Sequence, residues 1–391
     1  MSEKEIALRY GFNPHQKPAR IYVDKGTLPF RVLNGAPGYI NMLDALNSWQ
    51  LVKELKEALN LPAAASFKHV SPAGTAVGVP LSDTMKKACF VDDMETSQLM
   101  AAYARARGAD RVSSYGDFAA LSDTVDVATA RLINREVSDG VIAPGYEKAA
   151  LDILKAKKGG KYLVIEIDAA YTPGESEIRE VFGIKFEQKR NNAAVTTEML
   201  KNVVTKKNEF PADAVRDLIV TTAAIKYTQS NTIGLGVDGQ AIGIGAGQQS
   251  RIHCTRLAAE KADRWFLRQH PTVLSIKFKP GVPRAEKNNA IDLYLQERQN
   301  RFEKENLAAA MEKVPPPLTY EQKKEWLGKL KGVSLSSDGM IPFRDTIDRA
   351  YESGVAYVLQ PGGSIRDEDV IKACDAYGMV MAFSGVRLFH H

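Results

Sequence analysis

The chain has 391 residues, more than one domain usually holds, so two or three domains are expected. Apolar residues make up 44 % and charged residues 25 %, a composition typical of globular proteins with buried cores. The formal net charge of +5 is small for this length, and no run of about 18 apolar residues occurs. These features argue against a nucleic-acid-binding protein and against a membrane protein.

Cysteine usage and the N-terminus both favour a cytoplasmic location. Cys89, Cys254 and Cys374 are far apart and form no CxxC motif, which argues against a disulfide framework and a structural zinc site. The charged start, MSEKEIA, lacks the apolar core of a signal peptide.

The order of helices and strands along the chain indicates the fold class. Apolar residues at helical spacing predict three helices, at 44–59, 256–271 and 319–332. The last of these begins with the capping-box pair Thr319 and Gln322. Apolar runs predict strands, at 217–225, 355–359 and 379–383. Helices and strands alternate, which favours a layered α/β protein.

Two stretches of the chain echo each other. Residues 113–154 and 336–374 both contain Ser-Ser, a glycine, an aromatic residue, Asp-Thr, a helix, a short strand and Pro-Gly. A duplication would give two pseudo-equivalent α/β domains, at 1–200 and 201–391. The alternative is chance similarity between ordinary α/β units. The polar segment 200–215 is typical of a connection, and PPPL at 315–318 marks a second break.

Several cofactor and catalytic motifs are missing. GLGVDG at 234–239 fits G-x-G-x-x-G, but its Asp-Gly turn predicts a hairpin where a dinucleotide site needs a helix. The sequence has no Walker A motif, no G-x-S-x-G elbow and no P-C-x-x-C. We therefore expect no NAD, no ATP and no zinc.

A lysine and a histidine stand side by side in SFKHVSPAG, residues 66–74. They could be an ordinary strand end, with Lys68 exposed and His69 hydrogen-bonded locally. They could also be catalytic, because a histidine beside an ammonium stays neutral and can accept a proton. The same ammonium can stabilise an oxyanion on a reacting carbonyl.

Three further polar stretches could contribute to a site. KYTQSN at 226–231 follows an apolar run and offers hydroxyl and amide groups. GAGQQSRIHC at 245–254 predicts a turn entering a helix N-terminus, where backbone N–H groups and Arg251 could hold a phosphate. RYGFNPHQ at 9–16 is dense in polar side chains for a chain terminus.

Together these stretches resemble one enzyme family. The resemblance extends from residue 9 to residue 391 and is carried by RYGFNPHQ, LNGAPGYINMLDALNSWQLVKEL, FKHVSPAG, SSYGDF, EVSDGVIAPGY, KYTQSN, IGIGAGQQSRIHCTRLA and RLFHH. These motifs are similar to the 5-aminoimidazole-4-carboxamide ribonucleotide (AICAR) formyltransferase part of the bifunctional purine-biosynthesis proteins.

The resemblance implies an activity, a fold and partners. The activity is transfer of a formyl group from 10-formyltetrahydrofolate to the 5-amino group of AICAR, late in the synthesis of inosine monophosphate. The fold is a duplicated, three-layer, cytidine-deaminase-like α/β fold without zinc. The family forms cytoplasmic homodimers whose active sites are shared between subunits.

The resemblance also assigns residues. His69 matches the proton acceptor, Lys68 the transition-state stabiliser and Asn231 a positioning residue. The nucleotide-binding positions match Arg9, Tyr10, Gly116, Asp139, Arg251, Met340 and Arg387. Met340 departs from the phenylalanine common there. The folate-side positions match Ile252, Asp345, Ser364 and Ile365. A potassium ion held by some members would lie near Asp338 and His391.

One departure from the family concerns its cyclohydrolase domain, which has no counterpart in this sequence. The chain is then a natural single-function transformylase or a truncated one, and its charged start favours the former. A separate cyclohydrolase would consume its product. Two competing hypotheses are a non-catalytic sensor of AICAR and an enzyme with another formyl donor, such as 10-formyldihydrofolate.

Overall fold

The computed structural model describes residues 3–391. Its strands are β1 (Glu5–Leu8), β2 (Ala19–Tyr22), β3 (Phe30–Asn34), β4 (Ala63–Lys68), β5 (Ser71–Val77), β6 (Asp117–Leu121), β7 (Ser138–Ala143), β8 (Leu163–Ile167), β9 (Ser176–Val181), β10 (Ile184–Lys189), β11 (Ile233–Val237), β12 (Gln240–Gly245), β13 (Val333–Ser337), β14 (Val355–Gln360) and β15 (Val380–Phe383).

The helices alternate with these strands. They are α1 (Tyr39–Leu59), α2 (Asp83–Ala88), α3 (Gln98–Ala109), α4 (Val127–Arg135), α5 (Lys148–Gly160), α6 (Ala212–Lys226), α7 (Arg251–Leu267), α8 (Pro271–Leu274), α9 (Arg284–Leu295), α10 (Arg301–Ala310), α11 (Tyr320–Leu327), α12 (Asp345–Glu352) and α13 (Asp367–Tyr377). No helix between residues 3 and 391 combines the length and the apolar character that a membrane crossing requires.

One large mixed sheet runs through the molecule, in the order β15-β14-β13-β11-β12-β5-β4-β6-β7-β8-β3. The strands β6, β7 and β8 are parallel to one another, and so are β13, β14 and β15. Two antiparallel hairpins, β4–β5 and β11–β12, lie between these parallel sets. Two small antiparallel pairs, β1–β2 and β9–β10, lie outside the large sheet.

The two halves of this sheet follow the same order of elements. In the first half α1, a hairpin and α3 precede three parallel strands, and in the second half α6, a hairpin and α7 do so. The two stretches that echo each other in sequence, 113–154 and 336–374, each overlap the first two parallel strands of their half and the helices that follow them. Because both halves share one continuous sheet, the boundary at residue 200 stays a prediction, as does the likeness to cytidine deaminases.

Helices cover both faces of the sheet and give a three-layer α/β architecture. On one face, α1 and α6 contribute a core that includes Leu51, Val52 and Val220. On the other face, α3, α4, α5, α7, α12 and α13 contribute a second core with residues such as Met100 and Leu132. The predicted α/β class is therefore confirmed.

The predicted strand at 217–225 is wrong, because this stretch forms most of α6. Every residue from Asp217 to Lys226 is buried, since α6 packs against the sheet and against α1. A helix buried on all sides has no polar face, so its apolar run resembles that of a central strand.

Most other local predictions are confirmed, with shifted boundaries. The helix predicted at 44–59 begins at Tyr39, and the one at 256–271 spans Arg251–Leu267. The capping box of Thr319 and Gln322 is present, although α11 ends at Leu327. The predicted hairpin is formed by β11 and β12, with positive φ at both Asp238 and Gly239.

The two halves of the sheet meet through very little backbone pairing. The ladder between β5 and β12 contains one pair, Ala76 with Gln240. Beside it, the fully buried Arg105 donates from Nε to Val79 O at 3.0 Å and from Nη2 to Pro80 O at 2.7 Å. Arg105 also donates to Asp238, from Nη1 to the carbonyl at 3.1 Å and from Nη2 to Oδ2 at 2.8 Å. Gln240 adds a further link, because its Nε2 donates to Arg105 O at 2.7 Å. The side chains of Arg105 and Gln240 thus help to join the hairpin of the second half to the first half.

We expect Arg105→Met to lower the free energy of unfolding by at least ~3 kcal/mol, because it leaves buried carbonyl acceptors without donors. Urea denaturation monitored by circular dichroism measures this change. Arg301→Met, at an arginine whose side chain is 86 % exposed, serves as the matched control and should change little. A loss below about 1 kcal/mol in Arg105→Met would contradict the proposed clamp.

Candidate active site

The Lys68–His69 pair lies on the tight turn between β4 and β5. Lys68 is the last residue of β4, and His69 and Val70 follow with φ values of 53° and 59°. Such positive φ values are unfavourable for residues with branched or bulky side chains, so the turn needs external support. His69 is exposed, which leaves its imidazole accessible to a ligand.

Asp44 on α1 supplies that support. Its Oδ1 accepts a hydrogen bond from Val70 N at 2.6 Å, and the residue is only 5 % exposed. Burial raises the pKa of Asp44 to about 6, although the Val70 N–H and the nearby His69 oppose the shift. Asp44 is not among the site residues predicted from the sequence. The available signal was a carboxylate on the apolar face of a helix, four residues before the buried Ser48.

The Lys68 ammonium is held against the loop that precedes β6. Lys68 Nζ donates to Tyr115 O at 2.6 Å. The next residue, Gly116, has a φ of 74° and donates from its N–H to Val137 O at 2.9 Å. A Cβ at Gly116 would lie 4.0 Å from Oδ2 of Asp139, whose Oδ1 accepts from Lys158 Nζ at 2.8 Å. Lys68, His69, Gly116 and Asp139 therefore form one group, called the first cluster below.

A second cluster is formed by Asn231, Arg251 and Asp338. Arg251, the first residue of α7, donates from Nη2 to Asn231 Oδ1 at 3.1 Å and from Nη1 to Thr232 O at 2.9 Å. Its Nη1 also forms an ion pair with Asp338, and both side chains are buried. Asn231 Nδ2 donates to Gln249 O at 3.3 Å. The predicted turn before α7 is thus tied directly to the TQSN stretch.

The C-terminal residues dock on this second cluster. Leu388 N donates to Asp338 O at 2.9 Å, and Ser230 N donates to His390 O at 2.9 Å. Ser230 Oγ donates to Asp338 Oδ2 at 2.6 Å. Arg387 is exposed, with its guanidinium carbon 4.6 Å from the centre of the Phe389 ring. These contacts bring Arg387 to the edge of the sheet that holds Asn231.

Among residues 3–391, Asp338 and His391 are not part of a group of three or more His, Cys, Asp or Glu side chains that could hold a metal ion. Both carboxylate oxygens of Asp338 already accept from Arg251 and Ser230. His391 is exposed and its ring lies 6.0 Å from that of Phe389, edge to face. The binding of a potassium ion therefore stays a prediction.

The remaining matched positions lie on the same edge of the second half. Ile252 follows Arg251 on α7, Asp345 begins α12, and Ser364 and Ile365 follow β14. Ile365 is fully exposed and Met340 is 49 % exposed, so both can contact a ligand. Asp345 is also exposed, whereas Ser364 is partly buried.

Arg9 and Tyr10 stand apart from both clusters. They follow β1, and the Arg9 guanidinium lies 5.9 Å from the Tyr10 ring. Arg9 is exposed and Tyr10 is partly buried. Within residues 3–391, no hydrogen bond or ion pair connects either side chain to the clusters.

The two clusters occupy the same edge of the large sheet but do not touch. Strands β5 and β12 lie between β4 and β11. Ordinary strand spacing therefore places the backbones of Lys68 and Asn231 about 14 Å or more apart. The single Ala76–Gln240 pair lies at the opposite end of β5 and β12, so no ladder draws these strands together at the site edge. No hydrogen bond or ion pair joins the clusters in the described part of the chain.

The raised pKa of Asp44 predicts a specific pH dependence of stability. Between about pH 4 and pH 6 the folded state binds more protons than the unfolded state, so the free energy of unfolding falls as pH rises. Asp44→Asn abolishes this titration, while its amide oxygen can still accept from Val70 N. We expect the variant to gain up to ~3 kcal/mol relative to the parent chain over this range.

Urea unfolding at about pH 4 and pH 7 measures the change in both chains. Asp83→Asn, at an exposed acid at the start of α2, is the control and should show no such gain. A stability difference between Asp44→Asn and the parent chain that stays constant with pH would contradict the burial of an ionised carboxylate.

Comparison with known proteins supports the sequence resemblance. The family model described as "AICARFT/IMPCHase bienzyme" matches residues 1–261. The bifunctional purine biosynthesis protein PurH of Bacillus cereus (strain 03BB102) is 29 % identical over 395 residues, and that of Bacillus thuringiensis (strain Al Hakam) is 28 % identical over 394. Both matches cover 100 % of this chain, which spans 60 % of the length of either relative. The chain belongs to the AICARFT/IMPCHase bienzyme family.

Proposed function

We propose that this chain is an enzyme of purine biosynthesis that transfers a formyl group from 10-formyltetrahydrofolate to the 5-amino group of AICAR. The observation that carries the proposal is the turn at Lys68 and His69. It presents an exposed imidazole beside an ammonium, on a backbone held by the buried Asp44. Family membership supplies the reaction to which these groups are suited.

His69 accepts a proton in this reaction. The lone pair of the AICAR amine is delocalised into the ring, so the amine is a weak nucleophile and gains from being held against the formyl carbon. As the nitrogen–carbon bond forms, the His69 imidazole takes a proton from the amine. The bond from the formyl carbon to the folate nitrogen then breaks, and that nitrogen, as it leaves, takes up the proton that His69 accepted.

Lys68 stabilises the negative charge that develops on the formyl oxygen. Its ammonium has three N–H donors, and Tyr115 O takes one of them. The other donors remain for the tetrahedral intermediate, where fixed donors stabilise the transition state most. Asn231, whose Oδ1 accepts from Arg251, positions the reacting groups.

The binding roles follow the matched positions. The exposed Arg9 and Arg387 provide positive charge for the nucleotide phosphate, and Arg251, whose charge Asp338 balances, offers guanidinium N–H donors. Tyr10, Gly116, Asp139 and Met340 complete the nucleotide site. On the folate side, the exposed Ile365 offers an apolar surface, and Ile252, Asp345 and Ser364 lie along the same edge.

The proposal includes a homodimer in which each active site takes one cluster from each subunit. The backbones of Lys68 and Asn231 lie about 14 Å or more apart, and no hydrogen bond or ion pair joins their clusters within the described chain. A second copy could bring its Asn231 cluster to the His69 cluster of the first.

The hairpin β9–β10 supports an interface of this kind. Nearly all its residues are exposed, including the apolar Ile178, Ile184 and Phe186, and Phe182 is 99 % exposed. A lone two-stranded hairpin with exposed apolar side chains is marginal in water and is typical of a contact surface. Burial lowers the pKa of His390, and the charges of Glu177 and Arg179 also act on it, so the hairpin lies near the C-terminal residues that dock on the second cluster.

Further expectations complete the proposal. The two halves derive from a duplicated cytidine-deaminase-like unit without zinc, as their common order of elements suggests. The protein is cytoplasmic. Ring closure of the product to inosine monophosphate belongs to a separate cyclohydrolase, since the matched motifs are those of the transformylase part.

The second candidate function is a non-catalytic sensor of AICAR. Such a protein would keep the binding positions and lose the reactive ones. The retained Lys68, His69 and Asn231, each with ordered support, favour the enzyme. A different formyl donor would leave the roles of these residues unchanged.

We expect His69→Ala to lower kcat about 10²-fold or more with little change in stability, because it removes the proton acceptor from an exposed turn. An assay of purified chain with AICAR and 10-formyltetrahydrofolate measures formylated nucleotide, tetrahydrofolate and inosine monophosphate, the last of which should not form. His270→Ala, at the N-cap of α8, is the control and should retain turnover. Near-normal turnover in His69→Ala would refute this role, and AICAR binding without turnover in the parent chain would favour the sensor.

A mixing experiment tests the shared site. His69→Ala and Asn231→Ala should each be inactive alone, and their mixture after subunit exchange should recover about a quarter of the parent activity. Half of the dimers are then mixed, and one of the two sites in each mixed dimer contains both wild-type residues. If the mixture gains no activity although mass spectrometry detects mixed dimers, each site lies within one chain.

A further inference from the structure

A cavity of about 210 Å³ lies behind the Tyr115–Gly116 loop. Guanidinium groups dominate its walls, with one carboxylate and amide groups between them. The lining residues that matter here are Tyr115, Arg107, Arg111, Arg284, Glu136 and Asn288. None of the arginines among them appears in the proposed catalytic or binding roles.

Glu136 is the one carboxylate in the cavity wall and is surrounded by three arginines. Its Oε1 accepts from Arg111 Nη2 at 2.9 Å and from Arg284 Nη2 at 2.6 Å. Its Oε2 lies 3.2 Å from Arg107 Nε. Burial alone would raise the pKa of Glu136, but these guanidinium groups lower it well below its usual range.

The positive charge around the cavity exceeds the negative charge. Arg107 has its own partner, because its Nη1 donates to Asp117 Oδ1 at 2.5 Å. A further buried arginine, Arg268, donates from Nη2 only to the neutral Asn288 Oδ1, at 2.7 Å. Arg111 and Arg284 therefore share the single charge of Glu136, whereas the carboxylates of Asp292 and Asp110 act on Arg268. Burial, with the nearby charge of Arg111, lowers the pKa of Arg268 to about 10.

Donors of this group are also left without acceptors. Arg284 Nε is buried and has no hydrogen-bond partner in the described chain. Arg111 uses Nε for Asn288 and Nη2 for Glu136, which leaves Nη1 without a protein acceptor among residues 3–391. Two cations that share one carboxylate, with a buried N–H donor left unpaired, are costly to bury, so this arrangement favours an added anion.

We propose that the cavity binds an oxyanion of the phosphate class. Arginine presents planar pairs of donors that suit phosphate oxygens, and Arg111 and Arg284 are held in place because both guanidinium groups lie within 5.5 Å of the Phe90 ring centre. The rim arginine, Arg135, is paired with Asp93 through two hydrogen bonds and does not take part.

The anion site adjoins the first cluster. Tyr115 lines the cavity, and its carbonyl accepts from Lys68 Nζ. Val137 also lines the cavity, and its carbonyl accepts from both Gly116 N and Arg107 Nη2. An anion in the cavity would thus lie beside Tyr115 and Val137, whose carbonyl groups accept hydrogen bonds from Lys68 and Gly116.

Isothermal titration of inorganic phosphate into the purified chain, at constant ionic strength in chloride, tests the proposal. We expect saturable binding, weakened about tenfold or more in Arg284→Gln because one charged donor group is lost. Glu136→Gln should bind phosphate more tightly, since the competing carboxylate is removed. Arg301→Gln, at an exposed arginine on α10, is the matched control and should bind as the parent chain does.

Circular dichroism and thermal melting establish that each variant is folded, so Arg284→Gln decides the result even if Glu136→Gln does not fold. No saturable phosphate binding, or equal binding by the parent chain and folded Arg284→Gln, would overturn the proposal. Repeating the titration with saturating AICAR and then with 10-formyltetrahydrofolate identifies the source of the anion. Displacement by one of them assigns the cavity to an anionic group of that compound, and retained binding assigns it to free phosphate.

The choice of these two competitors rests on the proposed function, but phosphate binding itself does not. A chain that binds phosphate through Arg284 and transfers no formyl group would retain the anion site and lose the enzyme assignment. A chain that transfers formyl groups and binds no phosphate would retain the enzyme assignment and lose the anion site.

Discussion

Arg105 is a buried charge at the junction between the two halves of the sheet. Backbone pairing between the halves amounts to Ala76 with Gln240, and the guanidinium of Arg105 adds contacts from Val79 and Pro80 to Asp238. This junction lies at one end of β5 and β12, and both candidate clusters lie at the other end. Other contacts also join the halves, including the ion pair of Lys226 with Glu54 and the apolar core that α1 and α6 share.

Each cluster follows the same physical rule, in which a buried ionisable group fixes an exposed or ligand-facing one. Asp44 holds the turn that presents His69, and Asp338 holds Arg251, which in turn holds Asn231. Ordering these side chains before the substrate binds reduces the entropy lost on reaching the transition state. The cost appears in the raised pKa of Asp44, because burial disfavours its charged form.

The sequence predicts the parts of this molecule that local chemistry determines. The Asp238–Gly239 turn and the capping box at Thr319 depend on neighbouring residues only, and both are found. Helix α6 was predicted as a strand because its burial by distant elements removes the helical period. Asp44 was missed because its partner Val70 lies 26 residues away. The gap between the clusters follows from the strand order, which no local pattern encodes.

Because of this gap, catalysis could depend on how two chains assemble. A general base must approach within hydrogen-bonding distance of the proton it takes, and a positioning amide must reach the same reacting groups. Strand spacing places the backbones of Lys68 and Asn231 about 14 Å or more apart, so their side chains must be brought to one substrate from separate parts of the edge. Because each cluster is already ordered by its own buried carboxylate, docking of two chains would need no refolding of either. A shared site then requires only that the first cluster of one chain docks against the second cluster of the other. The exposed apolar side chains of the β9–β10 hairpin provide a contact surface for such docking.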